Sequence, residues 1–114
     1  MKVSTLFTLA FLTVGPSLAY AGSDANLTAE NGMTLYTFDK DTAGASACYG
    51  GCADKWPPYI AAEGTEIPGL TTIERQDGSK QWAKDGKPLY FWMGDSKPGD
   101  TSGDGLGGVW HIAH

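Results

Sequence analysis

The side chains of this 114-residue chain best suited to soft-metal or redox chemistry are two cysteines, two histidines and three methionines. Cys48 and Cys52 enclose three residues, and His111 and His114 fall within the last four positions. Reduced, the pair could hold copper or zinc together with His111, His114, Met33 or Met93, because thiolate, thioether and imidazole donors select such ions. The spacing is not that of thioredoxin-like or c-type haem motifs, which place two residues between the cysteines. In an exported chain an even pair normally oxidises, so a structural Cys48–Cys52 disulfide is the favoured reading. So short a loop gains less from its bridge than a long one would.

A second candidate is Asp100-Thr101-Ser102-Gly103-Asp104-Gly105. Oxygen ligands at the first, third and fifth positions and glycine at the sixth match the start of an EF-hand calcium loop. Counting on from Asp100, the twelfth position is His111 rather than the bidentate glutamate. Asp100, Asp104 and His111 are therefore carried as a calcium candidate, behind the reading of a plain acidic loop. His111 beside Trp110 reads as a strand histidine. Trp56, Trp82, Trp92 and Trp110 could form a platform for a sugar or peptide, but in a small domain most are expected to be packing anchors. The chain has no nucleophile elbow, phosphate loop or His-Glu-x-x-His motif, and catalysis is not expected.

The elements that must position these residues are organised by a phrase occurring twice. Gly32 to Asp41 and Gly86 to Asp95 match at a constant offset of 54, and Trp56 matches Trp110 at the same offset. Identities of this kind mark an internal repeat. On strands, the repeated Tyr36, Phe38, Tyr90 and Trp92 are packing material, and Asp41 and Asp95 are expected to accept backbone hydrogen bonds in the turns that follow. A sharper alternative, ranked lower, joins Tyr36, Asp41, Tyr90 and Asp95 into one polar site at the junction of the halves.

Alternation over Met33 to Phe38 predicts a strand, and a helical turn around Cys52 to Trp56 is stopped by Pro57-Pro58. Tyr59 to Ala62 reads as a short strand. Asp77-Gly78 and Asp85-Gly86 are turn signals between Thr71–Arg75, Lys80–Lys84 and Pro88–Met93, which together read as a β-meander. Gly94 to Gly108 reads as a loop and Val109 to Ala113 as a terminal strand. The fold class is mainly β, a small antiparallel domain built from two related strand-turn repeats, about 32–60 and 86–113. A closed barrel and two packed sheets are equally open.

Lys2, the apolar run Leu6 to Val14 and the small-x-small Ala19-Tyr20-Ala21 have the order of a cleavable signal peptide, residues 1–21. The run is shorter than the roughly 20 residues needed to span a bilayer. Residues 22–114 then form a single secreted or periplasmic β domain, with Gly22 to Glu30 as a loose leader. Without Lys2, seven basic side chains face thirteen acidic ones, a net charge of −6 (7 − 13). That argues against nucleic acid as a partner, and leaves an envelope partner or small ligand.

Tyr36-x-Phe38-x-x-Asp41 and Tyr90-x-Trp92-x-x-Asp95 resemble the Y-x-[FWY]-x-x-D motif of a bacterial family of secreted repeats and predicted lipoproteins. Cys48…Cys52-Ala53…Trp56-Pro57-Pro58, Gly86 to Tyr90 and Gly105 to His111 also resemble it. The resemblance implies export and a repeat without an agreed activity, and supplies no catalytic residues. The lipoprotein branch needs a cysteine at the cleavage site; here there is none. The function expected is thus a non-catalytic envelope or periplasmic module that binds a partner or serves a structural role. The alternative is a periplasmic copper-binding or electron-transfer protein using the Cys pair and C-terminal histidines.

Overall fold

A computed structural model describes residues 25–114. The expected export signal, residues 1–21, lies outside the described residues. The elements in order are β1 (Tyr36–Phe38), the short helix α1 (Gly51–Lys55), β2 (Thr71–Glu74), β3 (Lys80–Lys84), β4 (Lys87–Pro88), a 3-10 turn (Leu106–Gly108) and β5 (Trp110–Ile112). They form two small antiparallel sheets, one pairing β1 with β5 and one ordered β2-β3-β4. Isolated bridges Tyr36↔Tyr90, Pro58↔Tyr90 and Ile60↔Gln81 join the two. The mainly β, two-repeat architecture read from the sequence is the one observed.

The β2–β3–β4 meander follows its turn chemistry. Ser79 donates its backbone N–H and its hydroxyl to Asp77 Oδ1, which tightens the first turn. At the second, Asp85 and Gly86 both have positive φ, 53° and 82°. That is the pair of left-handed positions a two-residue hairpin requires, and Asp-Gly is the sequence that tolerates it.

Several elements are shorter than their patterns predict. The alternating run from Met33 condenses to β1, with Thr34 held by an isolated bridge to Thr28. Tyr59 to Ala62 makes one bridge, Ile60↔Gln81, rather than a strand, and the expected strand Pro88–Met93 is reduced to β4 and the bridges of Tyr90. The reason is common to all three: each segment exchanges partners every residue or two. Tyr59 N–H donates to Leu89 O while Phe91 N–H donates to Pro57 O and Tyr90 N–H to Tyr36 O. No single neighbour runs alongside long enough to make a ladder.

Alternation from Met33 to Phe38 does not separate a wet face from a dry one, since the neighbours Leu35 and Tyr36 are both fully buried. Two apolar clusters flank the strand. Leu35 joins Ala29, Trp82, Leu89 and Ala113, and Tyr36 joins Cys48, Trp56, Tyr90 and Trp110. The leader is also not loose at Leu27, whose N–H donates to Ala113 O and whose carbonyl accepts Leu35 N–H. Among the described residues no helix is long and apolar enough to cross a membrane.

Candidate functional site

The repeated tyrosines meet at the centre. Tyr36 N–H donates to Tyr90 O at 2.8 Å and Tyr90 N–H donates back to Tyr36 O at 3.0 Å. Equivalent residues facing each other in an antiparallel bridge are related by a local twofold axis, and the side chains obey it. Tyr36 OH donates to Asp95 Oδ2 and Tyr90 OH to Asp41 Oδ2, both at 2.7 Å. Each repeat's tyrosine therefore binds the other repeat's aspartate. The second carboxylate oxygens do what the turn reading expects: Asp41 Oδ1 accepts Ala47 N–H, and Asp95 Oδ1 accepts both the N–H and the hydroxyl of Ser102. Each carboxylate thus uses one oxygen for the other repeat's tyrosine and one for its own following turn, and the four side chains make two separate pairs.

The aromatic rings obey the same axis. Trp56 and Trp110 stack with centroids 3.7 Å apart and planes 2° from parallel. Phe38 stacks outside Trp110 at 4.1 Å, and its equivalent Trp92 lies outside Trp56 at 4.3 Å. Tyr36 meets Trp56 edge-on at 5.3 Å and Tyr90 meets Trp110 edge-on at 5.2 Å. The two central tryptophans are buried, so they are packing anchors and not an exposed platform. A Cβ on Gly103 would come within 2.8 Å of Trp56 and 2.9 Å of Trp92, so this position must be glycine for the stack to close.

Burial, reinforced by the Asp95 carboxylate, holds the Tyr36 phenol well above its ordinary value of 10.0. Burial does the same for Tyr90; the Ser46 contact partly offsets it and Asp41 adds to it. Raised folded-state values mean that the unfolded chain releases these protons first. The stabilisation is full below pH about 10 and is lost as pH rises through the folded values. An alkaline titration should show phenolate absorbance from two tyrosines appearing together with loss of tertiary circular dichroism.

Cys48 and Cys52 form the expected disulfide, with Cα atoms 5.3 Å apart, and Cys48 is fully buried. The bridge is backed by Arg75, whose place at the end of the predicted strand Thr71–Arg75 implies no role. Its buried guanidinium donates to Gln81 Oε1 at 2.7 Å, Cys48 O at 2.9 Å and Ser46 Oγ at 3.2 Å, and lies 4.3 Å from the Tyr49 ring. The Tyr90 proton goes to Asp41, so Ser46, 2.6 Å away, donates its own to Tyr90. The meander is thereby tied to the first repeat through one cation. Replacing both cysteines with alanine is expected to cost about 2 kcal/mol, the chain-entropy value for a loop this short, measured by denaturant unfolding.

The calcium and copper candidates are not brought together. Asp100 accepts Ser96 N–H, Ser96 Oγ, Lys97 N–H and Lys97 Nζ. The Ser96 amide, followed by the Lys97 ammonium, draws its carboxyl down to about 2. Asp104 accepts Ile112 N–H, while His111 Nε2 lies 2.8 Å from Asp39 Oδ2 on the surface. Among the described residues no group of three or more His, Cys, Asp or Glu is arranged to hold a metal ion. Asp100 closes its own turn, which is why the ligand-like spacing does not become a ligand set.

One open cleft, of about 440 Å³, lies beside the first cluster, with Leu27, Tyr59, Ile67, Leu70, Glu30 and Lys84 on its wall. The four apolar residues are half-buried and pack on the Trp82 cluster, and Tyr59 stands 6.3 Å from Trp82, ring to ring. These positions are spread over 44 residues (27 to 70), and no local pattern links them.

No curated protein and no solved structure matches the chain. Comparison with known families matches residues 24–59 and 71–114, two copies that together span most of the chain, to Lipoprotein_15, described as a secreted repeat of unknown function. The match divides into two segments, as do the twofold tyrosine pairs and the ring stack. The chain belongs to this family of secreted repeats.

Proposed function

We propose that the protein is an exported, non-catalytic binding module of the periplasm or envelope, holding a small, mainly apolar molecule in the cleft between Leu27, Tyr59, Ile67 and Leu70. The observation that carries this is the division of labour between the cleft and the motif. All four polar motif side chains are engaged in internal hydrogen bonds, leaving no motif group free to attack or to transfer a proton. The cleft instead presents half-buried apolar surface, and its volume falls in the roughly 300–1,000 Å³ range of small-molecule sites. Copper handling has less support, because the thiols it needs are joined to each other.

The test is a fluorescence titration of the exported protein with a panel of small apolar compounds, read through Trp82 beneath Tyr59, with recovery of the ligand for mass spectrometry. A binder should come back chemically unchanged, and Leu70→Glu should abolish the response without unfolding the chain. A chemically altered compound would replace the binding reading with an enzymatic one.

A further inference from the structure

We infer that the molecule this cleft takes is a small monocarboxylic acid with an aliphatic or aromatic body, its carboxylate held by Lys84; this rests on the binding reading above. Lys84 is the single cation among the residues lining the cleft. It ends β3 and is half-buried. Its ammonium donates one proton to His114 O at 2.6 Å, and its other two donors are left for a ligand that shares the charge with that oxygen.

Tyr59 supplies the second donor. Its backbone is fixed on both sides, with N–H donating to Leu89 O at 3.0 Å and carbonyl accepting Trp82 N–H at 2.8 Å. Its ring is braced edge-on against Phe91 at 5.2 Å. Among the described residues no hydrogen bond engages its hydroxyl. Lys84 and Tyr59 line the same cleft as its apolar residues, and an ammonium and a phenol there call for an acceptor that carries negative charge, since charge-assisted hydrogen bonds are the stronger kind. Glu30, the other charged residue on the wall, is exposed on the Ala29–Gly32 turn. Its carboxylate faces more water and attracts a cationic head less than Lys84 attracts an anionic one.

The experiment compares octanoate, 3-phenylpropanoate, octylamine and octanol on the isotope-labelled exported chain, following amide shifts at Tyr59, Ile67 and Leu70 together with Trp82 emission. Both acids should bind more tightly than the amine or alcohol of matching size. Lys84→Met should weaken octanoate by about tenfold or more and leave octanol unchanged, with Tyr59→Phe weakening it less. Lys84→Met should fold, because the contact it loses is exposed. Octylamine or octanol binding as tightly as octanoate, or an unchanged octanoate affinity in Lys84→Met, would overturn the carboxylate assignment while keeping the cleft as a binding site. No shift with any of the four would overturn both.

Discussion

Trp56→Ala is expected to lower the unfolding free energy by about 3–5 kcal/mol, the range for truncating a large buried aromatic, and Trp110→Ala by a similar amount. In a small domain with a total stability of about 5–15 kcal/mol, either change drops the melting temperature by roughly 15–30 °C. The equality matters more than the size. Each indole stacks on the other at 3.7 Å, on an outer ring of the second-repeat or first-repeat set, and against a tyrosine edge. The two substitutions therefore remove equivalent sets of contacts. Trp92→Ala, at the half-buried end of the stack, should cost about 1–2 kcal/mol. Thermal unfolding of the three variants, with the exciton signal of the paired indoles in far-ultraviolet circular dichroism, measures both points. A Trp110 variant as mild as the Trp92 variant would show that the axis relates positions without relating energies.

The second large effect concerns the exchanged tyrosine–aspartate pairs. Tyr36→Phe should destabilise by about 1–3 kcal/mol, since it withdraws a hydrogen bond from a buried carboxylate and leaves Gly103 N–H without its acceptor. Asp95→Ala should cost about 2–4 kcal/mol, because the Tyr36 hydroxyl and both Ser102 donors lose their partner. A double-mutant cycle separates this from the local alternative. Tyr36→Phe should couple to Asp95→Asn by about 1–2 kcal/mol and add to Asp41→Asn within about 0.5 kcal/mol. Coupling to Asp41, the aspartate of its own repeat, would mean that the exchange between repeats is wrong.

That test also marks how far the sequence could be read. Offset identities reveal that two copies exist, because a repeat leaves its spacing in the chain whatever its fold. They do not say which copy's aspartate meets which copy's tyrosine, since Tyr36 and Asp95 are 59 residues apart. Short-range turn chemistry accounts for one oxygen of each aspartate, which accepts Ala47 N–H or the Ser102 donors. Arg75 was illegible for a related reason: Ser46 and the Cys48 carbonyl lie 29 and 27 residues away, and an arginine at a strand end carries no mark of burial. In the case of Asp100, ligand-like spacing and a self-closing turn demand the same residue types, and only the backbone distinguishes them. The cleft was invisible because its walls come from the leader, the bend after Pro58 and the 61–70 connection, each unremarkable alone.

The exchange also bears on the order in which the chain can fold. A first half emerging alone has Tyr36 without its aspartate, Asp41 without its tyrosine, and Trp56 without the indole that covers it. Its contacts wait for residues as late as Trp110, and closing loops of that length is slow. Neither half can therefore close its core alone, because the buried pairs and the indole stack need both repeats. Folding becomes a single event that waits for the second repeat.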